Sequence, residues 1–504
     1  MRLSLSSWVT CGLIAAALVF YTDHLTDTPI GTFISYAAAA VVVTIGVVNY
    51  RSGVLGALLV LFTFPAFPRD ILDIYRDLDA RGNVLEFGSP KFITLAGFSL
   101  IIWMFLGLAS VALFRTAMDG LRFYDRHVRR MFLFSAAFVT VLVSAAAVSA
   151  LTVPPPVKEI VSDLRFPIML CLGAMIGHTF TRSCGGSEQA TAALVKLLTL
   201  TIVISGFKVL FFILDDRLSG GIFRLSFCNP FIVTFPFVLA LVWTGSRSGM
   251  TRTGVIIIVL FGLAASLPDG RQLIFLAAVE FVGLFVLGVL CDRSRLPRLM
   301  AGGIGLVAVA VLLLIAIAAS NPRFWNFLIY KSEFLYSNSF YKQLEKSPAV
   351  RIAEFKNIVS ELSQGGIGVI AGKGAGGAFT YKTHAIPWHL GRDDYSAAEL
   401  ASGRYYRPHL FVSYWLLKGG IIGLLFYVGL FIWMGRRALA RMRTDKRPFP
   451  VLMALLVPAA IFEAYWLPDF TIILSIFISV LVAGVAPGSS VASEYKNGTD
   501  FALS

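Results

Sequence analysis

The chain has 504 residues, of which 57% are hydrophobic and 14% charged, whereas about a quarter of the residues are charged in ordinary soluble domains. Its mean hydropathy of +0.78 leaves too few charges for the exterior of a soluble protein of this length. The composition therefore excludes a cytosolic enzyme, a secreted disulfide scaffold and a disordered chain. The net charge of +14 is typical of basic cytoplasmic loops in a multi-span membrane protein, so nucleic acid is not an expected partner.

Apolar runs long enough to cross a bilayer recur along the chain, since a spanning helix needs about 20 such residues. We therefore expect an all-α polytopic membrane protein with about fourteen transmembrane helices. The first run has no small-residue cleavage site behind it and predicts a retained helix, not a signal peptide. The predicted spans are 5–21, 31–49, 53–67, 92–114, 131–152, 164–180, 190–214, 229–244, 254–267, 272–290, 301–319, 409–434, 450–467 and 469–486.

Three connections between these spans, around residues 115–130, 293–298 and 436–447, are strongly basic and should face the cytoplasm. An even number of spans separates them, so all three fall on one side of the membrane. By the same count the connection 320–408, about ninety residues long, is extracytoplasmic, and a loop of that length is functional or disordered. Its apolar periodicity predicts one amphipathic helix within an ordered cap, carried by Ile352, Phe355, Ile358, Val359 and Leu362.

These boundaries divide the chain into four parts. The predicted parts are a first transmembrane part at 1–319, a periplasmic cap at 320–408, a last transmembrane part at 409–486 and a cytoplasmic tail at 487–504.

Within the cap, residues 372–377 have the sequence GKGAGG, which matches GxGxxG, and Asp393 follows at the spacing of a ribose-binding acid. No amphipathic helix follows the glycines, so we do not expect a dinucleotide site. A Walker loop is also excluded, because Gly374 follows Lys373 where that motif has Ser or Thr. Two interpretations stay open: a structural turn, or an anion site built from main-chain amides.

Arginines lie at the outer ends of several predicted spans, where the positive-inside bias does not require them. An anionic partner is the simplest explanation, because guanidinium groups bind phosphate oxygens bidentately and stay charged. For any single arginine, headgroup snorkelling or a local acid such as Asp269 is the alternative. The residues concerned are Arg224, Arg271, Arg351, Arg404 and Arg407.

His409 stands directly before a long apolar run. Imidazole exchanges a proton near neutral pH, so His409 suits a proton acceptor or a diphosphate ligand, with a merely amphipathic role as the alternative. His384 and His389 have no ligand spacing, and we expect no metal. Glu280 falls near mid-membrane and predicts intramembrane packing or a polar network, with a proton relay as the alternative.

Four local motifs, in this order, resemble the O-antigen polymerase and O-antigen ligase superfamily of bacterial envelope glycosyltransferases. Leu410 stands where this family frequently has Asn, and Ser is replaced before Arg271. The matches span about residues 220–430. They are Arg224-Leu-Ser-Phe-Cys-Asn229-Pro230, Gly270-Arg271, the Arg351-Ile-Ala-Glu-Phe-Lys-Asn-Ile-Val segment with the glycines 372–377, and His409-Leu-Phe-Val-Ser-Tyr-Trp-Leu-Leu-Lys-Gly-Gly-Ile-Ile-Gly423.

The resemblance implies a C-type glycosyltransferase-like bundle in the bacterial inner membrane, with its active site facing the periplasm. Such enzymes are metal-independent and transfer a glycan from undecaprenyl pyrophosphate, and direct attack on the anomeric carbon inverts its configuration. No cofactor is expected. The expected partners are the lipid-linked glycan and membrane lipids, together with chain-length regulator and flippase proteins.

In this interpretation Arg224, Arg271 and Arg351 bind the diphosphate and stabilise its departing charge. His409 deprotonates the acceptor hydroxyl or also binds phosphate. Aromatic faces stack on sugar rings, so the cap supplies further candidates for sugar contacts, with cap packing as the alternative. These candidates are Arg404, Arg407, Lys373, Tyr381, Trp388, Tyr405 and Tyr406.

We prefer a polymerase, which joins lipid-linked repeat units, to a ligase, which transfers glycan to lipid A core. The cap has no concentrated basic patch to bind a phosphorylated core, and Leu410 departs from the His-Asn pattern common in ligases. A lipid-linked glycan flippase is a further alternative. It should carry cations through the middle of the bundle, where charges are few, with Glu280 and Lys208 as the main ones.

Overall fold

The computed structural model describes most of the chain. The described residues are 4–25, 28–64, 94–95, 98–118, 126–151, 154–214, 228–244, 250–266, 271–291, 293–295, 339–364, 366–385, 395, 397–465 and 467–483, with isolated positions between 297 and 319.

Helices form nearly all of the described chain. In chain order they are α1 (Leu5–His24), α2 (Pro29–Val48), α3 (Tyr50–Thr63), α4 (Leu100–Met118), α5 (Arg126–Ala150), α6 (Val157–Ser183), α7 (Ser187–Leu214), α8 (Cys228–Thr244), α9 (Arg252–Ser266), α10 (Arg271–Cys291), α11 (Ser339–Gln364), α12 (Gly368–Ala371), α13 (Ala397–Ser402), α14 (Phe411–Thr444), α15 (Pro448–Ala460) and α16 (Pro468–Val482). Two antiparallel strands of two residues each, β1 (Thr94–Leu95) and β2 (Phe98–Ser99), precede α4.

Six of these helices contain segments long and apolar enough to cross a membrane, namely α2, α4, α5, α6, α7 and α14. Seven shorter apolar helical segments accompany them. The structure is therefore the helical, membrane-embedded bundle that the composition predicts. Most of the predicted span 301–319 lies outside the described residues, and the count of fourteen spans stays a prediction.

Two helices begin seven or more residues before their predicted starts. The span predicted at 164–180 lies within α6, which begins at Val157 and ends at Ser183. Three prolines, at 154–156, precede it, and the helix begins directly after them because three successive prolines supply no main-chain N–H donors. The predicted amphipathic helix of the cap is α11, which begins at Ser339, so Arg351 lies in the middle of this helix and not at its start.

Helices α6 and α16 pack closely, and two glycines one turn apart permit it. A Cβ atom on Gly173 would lie 2.7 Å from the main-chain oxygen of Ile472, and one on Gly177 would lie 2.7 Å from that of Ile476. The Ser475 hydroxyl donates across this interface to the main-chain oxygen of Leu170, at 2.5 Å. Small residues at this spacing let membrane helices approach until their main chains touch.

Helix α14 is broken at Gly420, which has φ 60° and ψ −155°. A Cβ atom there would lie 2.3 Å from the main-chain oxygen of Ile370 at the end of α12. The break therefore occurs where the cap touches the membrane helix, and only glycine can occupy it because other residues are strained at this φ. His409 stands two residues before the first half of α14.

Candidate active site

His409 is held by Glu354, a carboxylate that is fully buried on α11. The main-chain N–H of His409 donates to Glu354 Oε2 at 3.0 Å. Its ring atom Nδ1 lies 2.6 Å from Glu354 Oε1. The imidazole is thereby fixed in orientation, with Nε2 on the side of the ring away from the carboxylate. An oriented His beside a carboxylate is the arrangement in which imidazole accepts a proton from a hydroxyl.

Two tyrosines of the cap continue the hydrogen-bond chain from Glu354. The Tyr395 hydroxyl donates to Glu354 Oε1, and the hydroxyls of Tyr381 and Tyr395 lie 2.7 Å apart. Because the single proton of Tyr395 goes to Glu354, Tyr381 is the donor in the second contact. Burial, followed by the negative charge of Glu354, raises the pKa of Tyr395 far above its usual range. Tyr395 therefore stays protonated and serves as a fixed donor to Glu354.

The aromatic rings around this chain form one cluster. The Tyr395 ring meets those of Tyr405 and His409 edge to face, with centroids 4.5 and 5.6 Å away. Tyr381 lies 4.9 Å from Tyr405, and Tyr405 also pairs with Phe379 through two main-chain hydrogen bonds. The predicted sugar contacts Tyr381 and Tyr405 thus belong to a packed core. Tyr405 is buried and Tyr381 half-buried.

Tyr465 fixes the main chain of His409 through a hydrogen bond to its carbonyl oxygen. Tyr465, in the turn between α15 and α16, donates its hydroxyl to the main-chain oxygen of His409 at 2.9 Å. Burial and the charges of Glu463 and Glu354 raise the pKa of Tyr465, whereas Arg351 opposes this rise. Arg351 is exposed and lies three residues before Glu354 on α11. Helix α11 therefore places Arg351 within one turn of the carboxylate that holds His409.

The other predicted cap cations have protein partners. Arg407 contacts α6, with Nη2 at 3.0 Å from the Ser162 hydroxyl and 3.5 Å from Glu159 Oε2. Lys373 forms an ion pair with Glu361 and donates to the main-chain oxygen of Ala378. The guanidinium of Arg404 lies over the Tyr406 ring, 5.9 Å from its centroid. The Arg407 contacts hold the cap against α6, and those of Lys373 and Arg404 lie within the cap. Any sugar contacts of Arg407, Lys373, Arg404 and Tyr406 stay a prediction.

Three predicted site residues cannot be placed by their side chains. Arg224 and Trp388 lie outside the described residues. Arg271 is the first residue of α10, but its side chain is not among those described. The predicted convergence of Arg224 and Arg271 on Arg351 therefore stays a prediction.

The glycine-rich segment is a structural plug, the first of its two predicted interpretations. Its three alternate glycines, Gly372, Gly374 and Gly376, have φ between 70° and 79°. A Cβ atom on each would collide with another element: with Gly420 of α14, with Ala146 of α5 at 1.9 Å, and with Pro155 before α6. At these three positions the main chain packs so closely against α14, α5 and the start of α6 that no side chain fits.

The amides of this segment are all occupied. Those of Lys373 and Gly374 donate to the main-chain oxygens of Leu417 and Lys418, which precede the break in α14. The amide of Ala375 donates to Leu142 of α5, and that of Gly376 donates to Asp163 Oδ2 at 2.6 Å. The plug therefore caps the broken helix. A main-chain anion site is not supported, because no amide between 372 and 377 points to an open space.

A buried ion pair lies directly beneath the plug. Lys418 Nζ is 2.7 Å from Asp163 Oδ2, and both side chains are almost fully buried. Tyr414 donates to Asp163 Oδ1 at 2.6 Å, and Lys418 also donates to the main-chain oxygen of Gly377. Every group in the pair has hydrogen-bond partners, which is the condition for keeping two charges inside a membrane protein.

The residues that hold the site were not singled out in the sequence. Glu354 lies inside an amphipathic pattern, where an acidic residue is normally assigned to the exposed face, and its burial is visible only once α11 meets His409. The predicted spans 164–180 and 409–434 leave Asp163 in a loop and Lys418 inside a membrane helix. Lys418 did carry a signal, since a lysine seven residues inside an apolar helix requires a buried partner. Of the predicted intramembrane charges, Lys208 donates to the main-chain oxygen of Thr63.

Glu280 is buried as predicted, and none of the described residues hydrogen-bonds its Oε2 atom. The polar network expected around it is therefore not seen at this atom.

The described residues define a helical membrane protein in which a His–carboxylate pair lies directly before a broken membrane helix. Comparisons of the chain with protein-family models, with curated proteins and with solved structures gave no match.

Proposed function

We propose that the protein is a membrane glycosyltransferase that polymerises lipid-linked oligosaccharide repeat units on the periplasmic face of the bacterial inner membrane. The donor is a glycan on undecaprenyl pyrophosphate, and the acceptor is a sugar hydroxyl of another lipid-linked unit. The bundle has about fourteen spans, and the cap faces the periplasm. No nucleotide sugar is present on that side, so the lipid diphosphate serves both as anchor and as leaving group.

One observation supports the proposal: the imidazole of His409, oriented by the buried Glu354, lies directly before a membrane helix, and Arg351 is one turn before Glu354 on α11. A hydroxyl nucleophile needs a proton acceptor, and a departing diphosphate needs fixed positive charge. In the proposed step, side chains alone serve both requirements, without a metal.

In the proposed step, His409 Nε2 accepts the proton of the acceptor hydroxyl as its oxygen attacks the anomeric carbon. The bond from that carbon to the diphosphate oxygen breaks, and its electron pair leaves with the diphosphate. Arg351, together with Arg224 and Arg271, stabilises the added negative charge. A well-placed donor of this kind contributes about 3 to 4 kcal/mol to the transition state. Attack opposite the leaving group inverts the anomeric configuration.

The test uses two substitutions with matched controls in cells that make the polymer. We expect His409→Ala and Arg351→Ala to abolish long-chain glycan while the protein stays inserted in the membrane. His384→Ala replaces an exposed histidine of the same cap, and Lys356→Ala replaces an exposed cation on the same helix. Both controls should leave the polymer unchanged. Normal polymer in both His409→Ala and Arg351→Ala would contradict the proposal.

The gel pattern separates the proposed polymerase from a ligase. Loss of a polymerase leaves single repeat units on the acceptor, whereas loss of a ligase leaves polymer on the lipid carrier. Purified protein in vesicles with lipid-linked repeat units provides the second measurement. Longer glycan formed without a membrane gradient supports catalysis, and movement of the unit across the bilayer without elongation would identify a flippase instead.

A further inference from the structure

The end of α11 and the short helix α12 expose apolar side chains although they belong to the cap. Ile367 is 72% exposed and Ile370 is 54% exposed. On α11, Ile358 and Leu362 are buried, whereas Ile352, Phe355 and Val359 are exposed. The helix thus buries only part of its apolar face. We call the exposed set, residues 352, 355, 359, 367 and 370, the apolar stripe.

The level of this stripe in the membrane follows from its contacts with α14. At its upper end, Glu354 holds His409, which precedes α14. At its lower end, Ile370 abuts Gly420, nine residues inside that helix. Helix α11 therefore runs downward beside the first half of α14. Its end lies at the depth of the break, not above the bundle.

That depth is within the hydrocarbon layer. Arg436 begins the basic end of α14, and a guanidinium group marks a membrane boundary because it stays at or outside the interface. About sixteen residues separate it from Gly420, which is roughly 24 Å of helix at 1.5 Å per residue. A hydrocarbon core is about 30 Å thick. Gly420 and the adjoining α12 therefore lie inside the outer boundary of the core.

The main-chain amides of residues 370–377 meet the hydrogen-bonding requirement of the hydrocarbon layer. Irregular backbone is tolerated at membrane depth only where its polar groups are satisfied internally. Eight consecutive amides, from Ile370 to Gly377, each donate a hydrogen bond to the protein. Residues 365–372 contain only Gly, Ala, Val and Ile. Residues 370–377 thus have no unsatisfied main-chain amide, and residues 365–372 have no polar side chain.

The exposed face of the segment continues a lipid-facing surface. On α14, just beyond the break, Ile421 and Leu425 are 45% and 65% exposed. A membrane helix that exposes residues of this kind presents them to acyl chains. Ile370 lies next to the break, so the apolar stripe and this face of α14 adjoin.

We infer that the end of α11 and α12 form a re-entrant element inserted in the outer leaflet, with the apolar stripe packed against phospholipid acyl chains. The cap is then anchored in the bilayer beside its own membrane helix. This inference does not depend on the proposed glycosyltransferase activity, because it follows from the depth, exposure and main-chain hydrogen bonding of the segment.

The experiment uses the unmodified chain in vesicles of phosphatidylethanolamine and phosphatidylglycerol that contain a trace of phospholipid with a diazirine on its acyl chain. After illumination and trypsin digestion, mass spectrometry compares three peptides, 357–373, 374–382 and 419–436, whose ends are set by Lys356, Lys373, Lys382, Lys418 and Arg436. The last peptide is the lipid-facing reference from α14, and the middle peptide is the control from the cap.

We expect peptide 357–373 to carry label close to that of 419–436 and about fivefold more than 374–382, because acyl-chain probes act within the hydrocarbon layer. Fragmentation should place the label on Ile367 or Ile370 and not on the buried Ile358. Peptide 357–373 unlabelled while 419–436 is labelled would overturn the inference. Loss of its label when unlabelled undecaprenyl diphosphate is added would assign the stripe to the prenyl chain and overturn the phospholipid assignment.

Discussion

Glu354 binds His409 at two points, the main-chain N–H at 3.0 Å and the ring Nδ1 at 2.6 Å. One carboxylate therefore sets both the position of the residue and the direction of its ring. Because Glu354 has no solvent exposure, no water competes for these contacts. The pair connects the middle of the cap helix to the start of a membrane helix.

The first prediction concerns this carboxylate. Glu354→Gln retains the shape of the side chain but removes its charge and one of its two acceptors, so the imidazole loses its fixed orientation. We expect kcat for glycan transfer to fall by about 100-fold, the lower range of general-base catalysis. The control is Glu361→Gln, the same change on the same helix at a carboxylate that pairs with Lys373. Glu354→Gln with more than half of the wild-type rate would rule out the positioning role.

The second prediction separates steric collision from backbone strain in the plug. Gly366 and Gly374 both have positive φ, but a Cβ atom meets nothing within 4 Å at Gly366 and lies 1.9 Å from a main-chain nitrogen at Gly374. We expect Gly366→Ala to cost about 1 kcal/mol of unfolding free energy from φ alone. Gly374→Ala should cost about 4 kcal/mol or more. Thermal unfolding in detergent measures both, and equal midpoints would show that the plug does not occupy this space.

The third prediction concerns the buried pair of Asp163 and Lys418. Lys418→Met leaves a carboxylate uncompensated in the protein interior, which costs about 3 to 5 kcal/mol. Asp163→Asn leaves the ammonium group in the same position. The double variant removes both charges, and we expect it to be more stable than the sum of the single changes by about 1 to 3 kcal/mol. Strict additivity in this double-mutant cycle would mean that the two groups do not interact.

The fourth prediction tests the interface between α6 and α16. A Cβ atom on Gly173 would approach Ser475 Cβ to 2.6 Å, so Gly173→Ala forces the helices apart and should cost about 1 to 3 kcal/mol. Gly283 on α10 provides the matched control, since its nearest neighbour would be an ordinary 3.6 Å away. Gly283→Ala should be neutral or stabilising because alanine has the higher helix propensity. If Gly173→Ala unfolds at the same temperature as the wild type, the close approach is not required.

The fifth prediction is a pH dependence. The folded state raises the pKa of Tyr395 through burial and the charge of Glu354, whereas an unfolded tyrosine titrates near 10. Above about pH 10 the unfolded chain releases a proton that the folded chain retains, so stability falls as pH rises. We expect Tyr395→Phe to reduce this slope by up to about 1.4 kcal/mol per pH unit. Unfolding midpoints between pH 9 and 11 measure it, and parallel slopes for the two proteins would contradict the assignment.

The sequence predicted those features that depend on composition and periodicity. Apolar runs identified the membrane helices, and GKGAGG identified a turn that needs glycine. His409 and Arg351 were selected because each combines a polar group with the edge of an apolar run. These signals are local, so they can be recognised without knowing which elements pack together.

The remaining features depend on contacts between distant parts of the chain. Glu354 is buried only because α11 lies against the residue that precedes α14, 55 positions later. Asp163 and Lys418 meet only because the plug brings α6 and α14 together. Helix α6 begins earlier than predicted for a similar reason. Its first two turns contain Lys158, Glu159, Ser162 and Asp163, and the cap contacts them through Arg407, which lies against Glu159 and Ser162.

The alternating glycines of the plug also determine how this protein can be recombined. The main chain between Gly372 and Gly376 fits against α5, the start of α6 and the break in α14 at once. Transplanting residues 320–408 alone into another bundle would separate the plug from all three surfaces, and inserting one residue among the glycines would put a side chain where only hydrogen fits. A functional chimera must exchange the loop together with those three helices as one cassette.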